Sequence, residues 1–135
     1  MINQLREKIY QELITLTNIA EVFDWIPQKL WWFPSIYFSF DRIESSSLSS
    51  NHNERIYYFT LTIFQELTTL WNNESEKILC WVLDEIIDRF DRSDLDGLAS
   101  SIEAVGWNID AVETDVWPAL HGISVLRIHV PFPLK

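Results

Sequence analysis

Three observations predict an α+β domain: a mainly antiparallel sheet with two principal helices on one face, in the order α-β-β-α-β-β. Apolar residues recur at spacings of three and four in two separated segments. Between and after them, β-branched and aromatic residues alternate at a period of two. Hairpin-like connections flank the second helical segment, which places helices and strands in separate layers. With 135 residues the chain has room for one core, and residues 1–135 are read as a single domain.

The first helix spans residues 2–18. Ile2, Leu5, Ile9, Leu13 and Leu16 line one side, while Arg6, Glu7, Lys8, Gln11 and Glu12 take the other, and Asn18 serves as an end. A short extended piece, Val22-Phe23-Asp24-Trp25-Ile26, closes at Pro27, which has no N–H to give a ladder. Pro34 leads a strand through Ile36-Tyr37-Phe38-Ser39-Phe40. Residues 44–54 hold most of the serines of this half together with Asn51 and Asn53, so residues 45–54 are predicted to form a mobile loop with too little apolar area to offset its ordering entropy.

A long strand follows over residues 55–66. Tyr57, Phe59, Leu61 and Ile63 share one face; Ile56, Tyr58, Thr60, Thr62 and Phe64 share the other. Asn73 and Glu76 have the spacing of a capping box before the second helix, residues 74–90, whose stripe is Leu79, Val82, Leu83, Ile86 and Phe90. Glu85 with Arg89 and Asp88 with Arg92 are acid-before-base pairs on its exposed side. Ser93 to Gly97 end the helix. Val105, Trp107, Ile109 and Ala111 then alternate on one strand face, Pro118 to Gly122 read as a turn, and a last strand turns Leu126, Ile128 and Val130 inward.

Composition narrows the function. Ten Lys plus Arg against 20 Asp plus Glu give 10 − 20 = −10, which opposes a phosphate-binding surface because nucleic-acid affinity comes from basic residues. The N-terminal residues lack an apolar signal core, and no apolar run approaches the roughly 20 residues of a membrane span. Cys80 alone forms no internal disulfide and no cysteine cluster, and reads as a small hydrophobe beside the helical stripe. Seven Trp, eight Phe and four Tyr exceed what one small core is expected to shelter, and the surplus reads as interface.

Candidate chemistry is weak throughout. Asp94, Asp96, Gly97 and Glu103 match part of a calcium-loop spacing, but Arg92 stands where the first carboxylate belongs, so a polar connecting loop is the better reading. Asp84, Asp88 and Asp91 read as a solvated helix face, and His52, His121 and His129 as scattered surface histidines. No serine sits in a nucleophile elbow, and three glycines make no phosphate cradle. The expectation is a chain without catalytic residues, cofactor or metal.

Several local phrases then resemble the tail-terminator and tail-completion proteins of long-tailed bacteriophages, which take part in head–tail joining. Val22-Phe23-Asp24-Trp25-Ile26-Pro27 is similar to that family's Val-Tyr-Asp-x-(Val/Ile)-Pro phrase after an amphipathic helix. Phe33-Pro34-Ser35-Ile36-Tyr37 matches its proline-led strand, and His121-Gly122-Ile123-Ser124-Val125 its closing His-Gly phrase. The tryptophans Trp31, Trp32, Trp71 and Trp81 depart from the pattern. The resemblance implies a structural virion protein at the neck, made in the host cytoplasm. It would form a homohexameric ring that caps the tail tube, ends tube polymerisation and meets the head connector or stopper protein. DNA would pass through the lumen without specific binding, which suits an acidic wall.

The long strand's second apolar face makes Ile56, Tyr58 and Phe64 candidate interface residues, with Trp31 and Trp32 as flanking anchors. Ser47, Leu48 and Asn51 are candidate docking residues in the serine-rich loop. The rival is a small acidic cytoplasmic binding protein, such as an immunity-type inhibitor of a basic toxin, which shares the acidity, the aromatic load and the lack of catalytic residues.

Overall fold

The apolar stripes of both helical segments meet a common partner. A computed structural model describes residues 1–17, 19–24, 32–47, 53–66, 73–113 and 118–132. It contains α1 (Ile2–Ile14), β1 (Glu21–Phe23), β2 (Ser35–Ser47), β3 (Asn53–Glu66), α2 (Asn73–Asp91), β4 (Ser101–Glu113) and β5 (Pro118–Phe132). The strands form one sheet in the order β1-β2-β3-β5-β4. Every pairing is antiparallel except the short parallel match of β1 to Ser35, Ile36 and Tyr37 of β2. The class is the expected α+β, with β1 as an additional short strand.

Both helices cover the same face of the sheet. Leu5, Ile9 and Leu13 of α1 and Leu79, Val82, Leu83, Ile86 and Phe90 of α2 join Ile36, Phe38, Tyr57, Phe59, Leu61, Ile63, Leu126, Ile128 and Val130 in one buried cluster. Phe59 sits at its middle, edge-on to Phe40 at 5.5 Å between ring centroids and tilted against Phe38 at 6.4 Å.

Several boundaries differ from the sequence expectation, each for a local reason. Helix α1 stops at Ile14 because Thr15 turns its hydroxyl back to the Glu12 carbonyl at 2.7 Å. The N–H groups of Thr15 and Leu16 then bond three residues back, and that of Thr17 donates to Glu85 on α2. Arg89 turns across to α1, 3.7 Å from the Glu12 carboxylate, where an exposed pair along α2 was expected. The serine-rich segment is narrower than predicted. Strand β2 runs to Ser47 and β3 begins at Asn53, since backbone pairing needs no apolar side chains and β5 supports β3 here from its other edge. Residues 48–52 lie outside the described residues.

The predicted turn at Pro118 to Gly122 is the start of β5. Gly122 pairs with Ile63 and Ile109 and faces Leu79 and Leu83 of α2. Strand β4 breaks the predicted alternation. An irregularity between Val105 and Asn108, with Gly106 at φ +76°, puts Val105 on the open face and Ile109 on the helix side.

Candidate interaction surface

The helices leave the opposite face of the sheet open, and charged side chains organise one half of it. The strand register brings Arg42 and Glu44 of β2 beside Tyr58 and Ile56 of β3, with Arg127 and His129 of β5 on their other side. Tyr58 donates its hydroxyl hydrogen to Glu44 at 2.8 Å, and the Arg42 guanidinium covers its ring at 4.1 Å. Arg42 also reaches Glu44 at 3.3 Å and Asp41 at 3.1 Å. Hydrogen bonding from Tyr58 holds the Glu44 carboxyl below its usual range, with Arg42 acting in the same direction.

The network continues across β5. Arg127 lies 5.9 Å from the Tyr58 ring and 3.6 Å from Glu103 on β4. His129 stands between two carboxylates, with Nδ1 2.9 Å from Glu54 and Nε2 2.9 Å from Glu103. This Glu54–His129–Glu103 clasp joins β3, β5 and β4. Sequence reading missed it because three strands must be in register before the residues meet.

The other half of the open face is aromatic and small. Phe64 is half-buried, stacked on Tyr37 at 6.0 Å and tilted against His121 at 6.2 Å. Of the candidate interface residues, Trp32 is 66% exposed, whereas Ile56 and Tyr58 are buried within the single chain at 7% and 6%. Ile56 lies between Glu44 and His129, so the charged network already shelters these two. Trp31, Leu48 and Asn51 lie outside the described residues, and Ser47 is the last residue of β2.

Among the described residues, the other exposed large apolar side chains are Tyr10, Ile14, Ile43, Trp81 and Ile109. Trp81 was legible in the sequence, because it falls off the buried stripe of α2. Ile43 and Ile109 were not, since each occupies a helix-side position whose exposure depends on which strand segments lack an outer neighbour among the described residues.

Two further polar groups of residues, Asp96 with Glu103 and the pocket beside α1, are internally paired. Asp96 binds Lys8 at 2.7 Å and raises that ammonium's pKa, while Glu103 engages Arg127 and His129, so the calcium-like residues serve different contacts. A polar pocket of about 180 Å³ between α1 and the turn after α2 holds Lys8, Glu12, Arg89 and Asp96, its cations already facing its carboxylates. Among the described residues, no group of three His, Cys, Asp or Glu is placed to hold a metal ion, and no helix is long and apolar enough to cross a membrane.

No family model matches the sequence, and a search of curated proteins gives no match. A search of solved structures matches a chain from the "Virion of native gene transfer agent (GTA) particle". The TM-score is 0.51 and the identity 16%, with 94% of each chain covered. The likeness runs nearly end to end in both chains, and what it establishes is a shared fold.

Proposed function

We propose that this chain is a structural virion protein of a phage-like particle, acting at the end of the tail tube as a homohexameric ring that stops tube growth and meets the head connector. The observation that carries the reading is the whole-chain fold likeness to a virion component, with 94% of both chains aligned. The local phrases at Val22 to Pro27 and His121 to Val125 support the tail-end position.

The surface fits such a role. Trp32 offers a large apolar contact directly, and Phe64 with Tyr37 extends an aromatic patch on the open face. Ile56 and Tyr58 contribute through the charged groups above them. The charge of −10 suits a ring through which DNA slides without adhering.

The test is co-expression with a tail-tube protein of the same particle. Wild type should yield tubes ending in a ring by negative-stain microscopy. Trp32→Ala should retain the wild-type circular dichroism and lose capping, because truncating a buried aromatic anchor costs about 2 kcal/mol or more and recurs at each subunit. Tubes that grow unchecked beside folded wild-type protein would refute the reading and favour the inhibitor alternative.

A further inference from the structure

Among the described residues, the two sides of the sheet end in strand edges that lack a neighbour and differ from each other. On one side, β1 covers only Ser35 to Tyr37, so residues 38–47 of β2 have no neighbouring strand on their outer side among the described residues. On the other side, β4 pairs with β5 alone among the described residues. A long unpaired edge is a template for another strand. Both edges also expose an isoleucine on the helix side of the sheet. Ile43 is 42% exposed and aligned with Tyr57; Ile109 is 37% exposed and aligned with Gly122 beneath α2.

Strand direction makes the edges compatible. Strand β2 is antiparallel to β3, β3 to β5, and β5 to β4, so β4 runs opposite to β2. When one copy is set beside the next in the same orientation, β4 of the first meets β2 of the second in antiparallel sense, the more stable pairing.

We propose that these edges are the two halves of one head-to-tail contact between copies of this chain. In it, β4 of one copy continues onto residues 38–47 of β2 in the next and closes Ile109 against Ile43. A contact between two different patches closes into a ring when the rotation per copy allows it. Each edge carries an irregularity, at Phe40/Arg42 in β2 and at Val105/Asn108 in β4. Bulges guard an edge against indiscriminate pairing and add twist, and rotation between neighbours is what a closed ring requires. The inference rests on the ring reading and names the surface that builds it.

Cysteine cross-linking tests it in a Cys80→Ser background, with Ile43→Cys and Ile109→Cys singly and together. Both positions are exposed, so the variants should fold as wild type by circular dichroism. A short bis-maleimide should convert the double variant into a ladder beyond dimers and leave each single variant uncross-linked. In parallel, Ile43→Lys or Ile109→Glu alone should weaken self-association about tenfold or more by sedimentation, and the pair together should recover most of it. Dimers from Ile109→Cys alone would overturn the proposal in favour of a two-fold edge contact. A double variant that assembles to wild-type mass without cross-linking would overturn the edge pairing and leave the ring standing. A wild-type chain that stays monomeric, alone and beside the tube protein, would overturn both.

Discussion

Tyr58 shows how a residue's role follows from its neighbours. Its sequence position marks an apolar group on a second strand face, yet the ring is only 6% exposed under Arg42, and its hydroxyl serves Glu44. Because the folded chain depresses the Glu44 pKa, the stabilisation from its ionised form is present above the unfolded value and fades as pH falls through the folded one. Tyr58→Phe removes the largest cause of that depression. The Glu44 carboxyl should then titrate closer to the ordinary carboxylate range in an NMR pH series, with the fold unchanged. Cys80 behaves oppositely. Burial, followed by Glu76 and Asp84, pushes its thiol upward and keeps it protonated at neutral pH. Its maleimide reaction at pH 7 should be well slower than that of a cysteine peptide and accelerate on unfolding; an equal rate would contradict this environment.

At the scale of elements, two glycines in adjacent strands should respond in opposite ways. Gly122 lies in β5, where an added Cβ would meet Leu83 at 3.5 Å and Leu79 at 3.6 Å, ordinary contact distances. Gly122→Ala should therefore be neutral or stabilising by about 0.5 kcal/mol in urea unfolding, since alanine narrows the unfolded ensemble. Gly106, at φ +76° in the β4 irregularity, has open space but a left-handed backbone. Gly106→Ala should cost about 1 kcal/mol. Phe59 at the centre of the cluster should lose about 3–5 kcal/mol on truncation to alanine, measured the same way. The buried stripes of both helices and the inward set of β3 were readable from periodicity, because helix and strand repeats project one face each. The alternation of β4 was misread because a bulge shifts the period within the strand. The start of β5 was misread because proline and glycine resemble turn residues until cross-strand partners are known.

For the whole molecule, net charge and assembly pull against each other. Copies carrying −10 repel one another at long range, and salt screens that repulsion within about 8 Å at physiological ionic strength. Self-association through the proposed contact should therefore tighten as salt rises from about 0.01 M toward about 0.15 M, measured by sedimentation. Weakening over that range would point to an interface built on opposite charges. The sequence alone determined the α+β class, both helices with their buried stripes, the inward set of β3 and the acidic character, because these depend on local periodicity and composition. Only the tertiary structure decided that Ile56 and Tyr58 are sheltered within one chain, that His129 joins Glu54 to Glu103, and that Ile43 and Ile109 stand on opposite sides of the sheet, at edges with no neighbouring strand among the described residues. Those facts depend on which strands become neighbours and in what register, and residues as far apart as Glu54 and His129 meet only once β3, β5 and β4 have aligned.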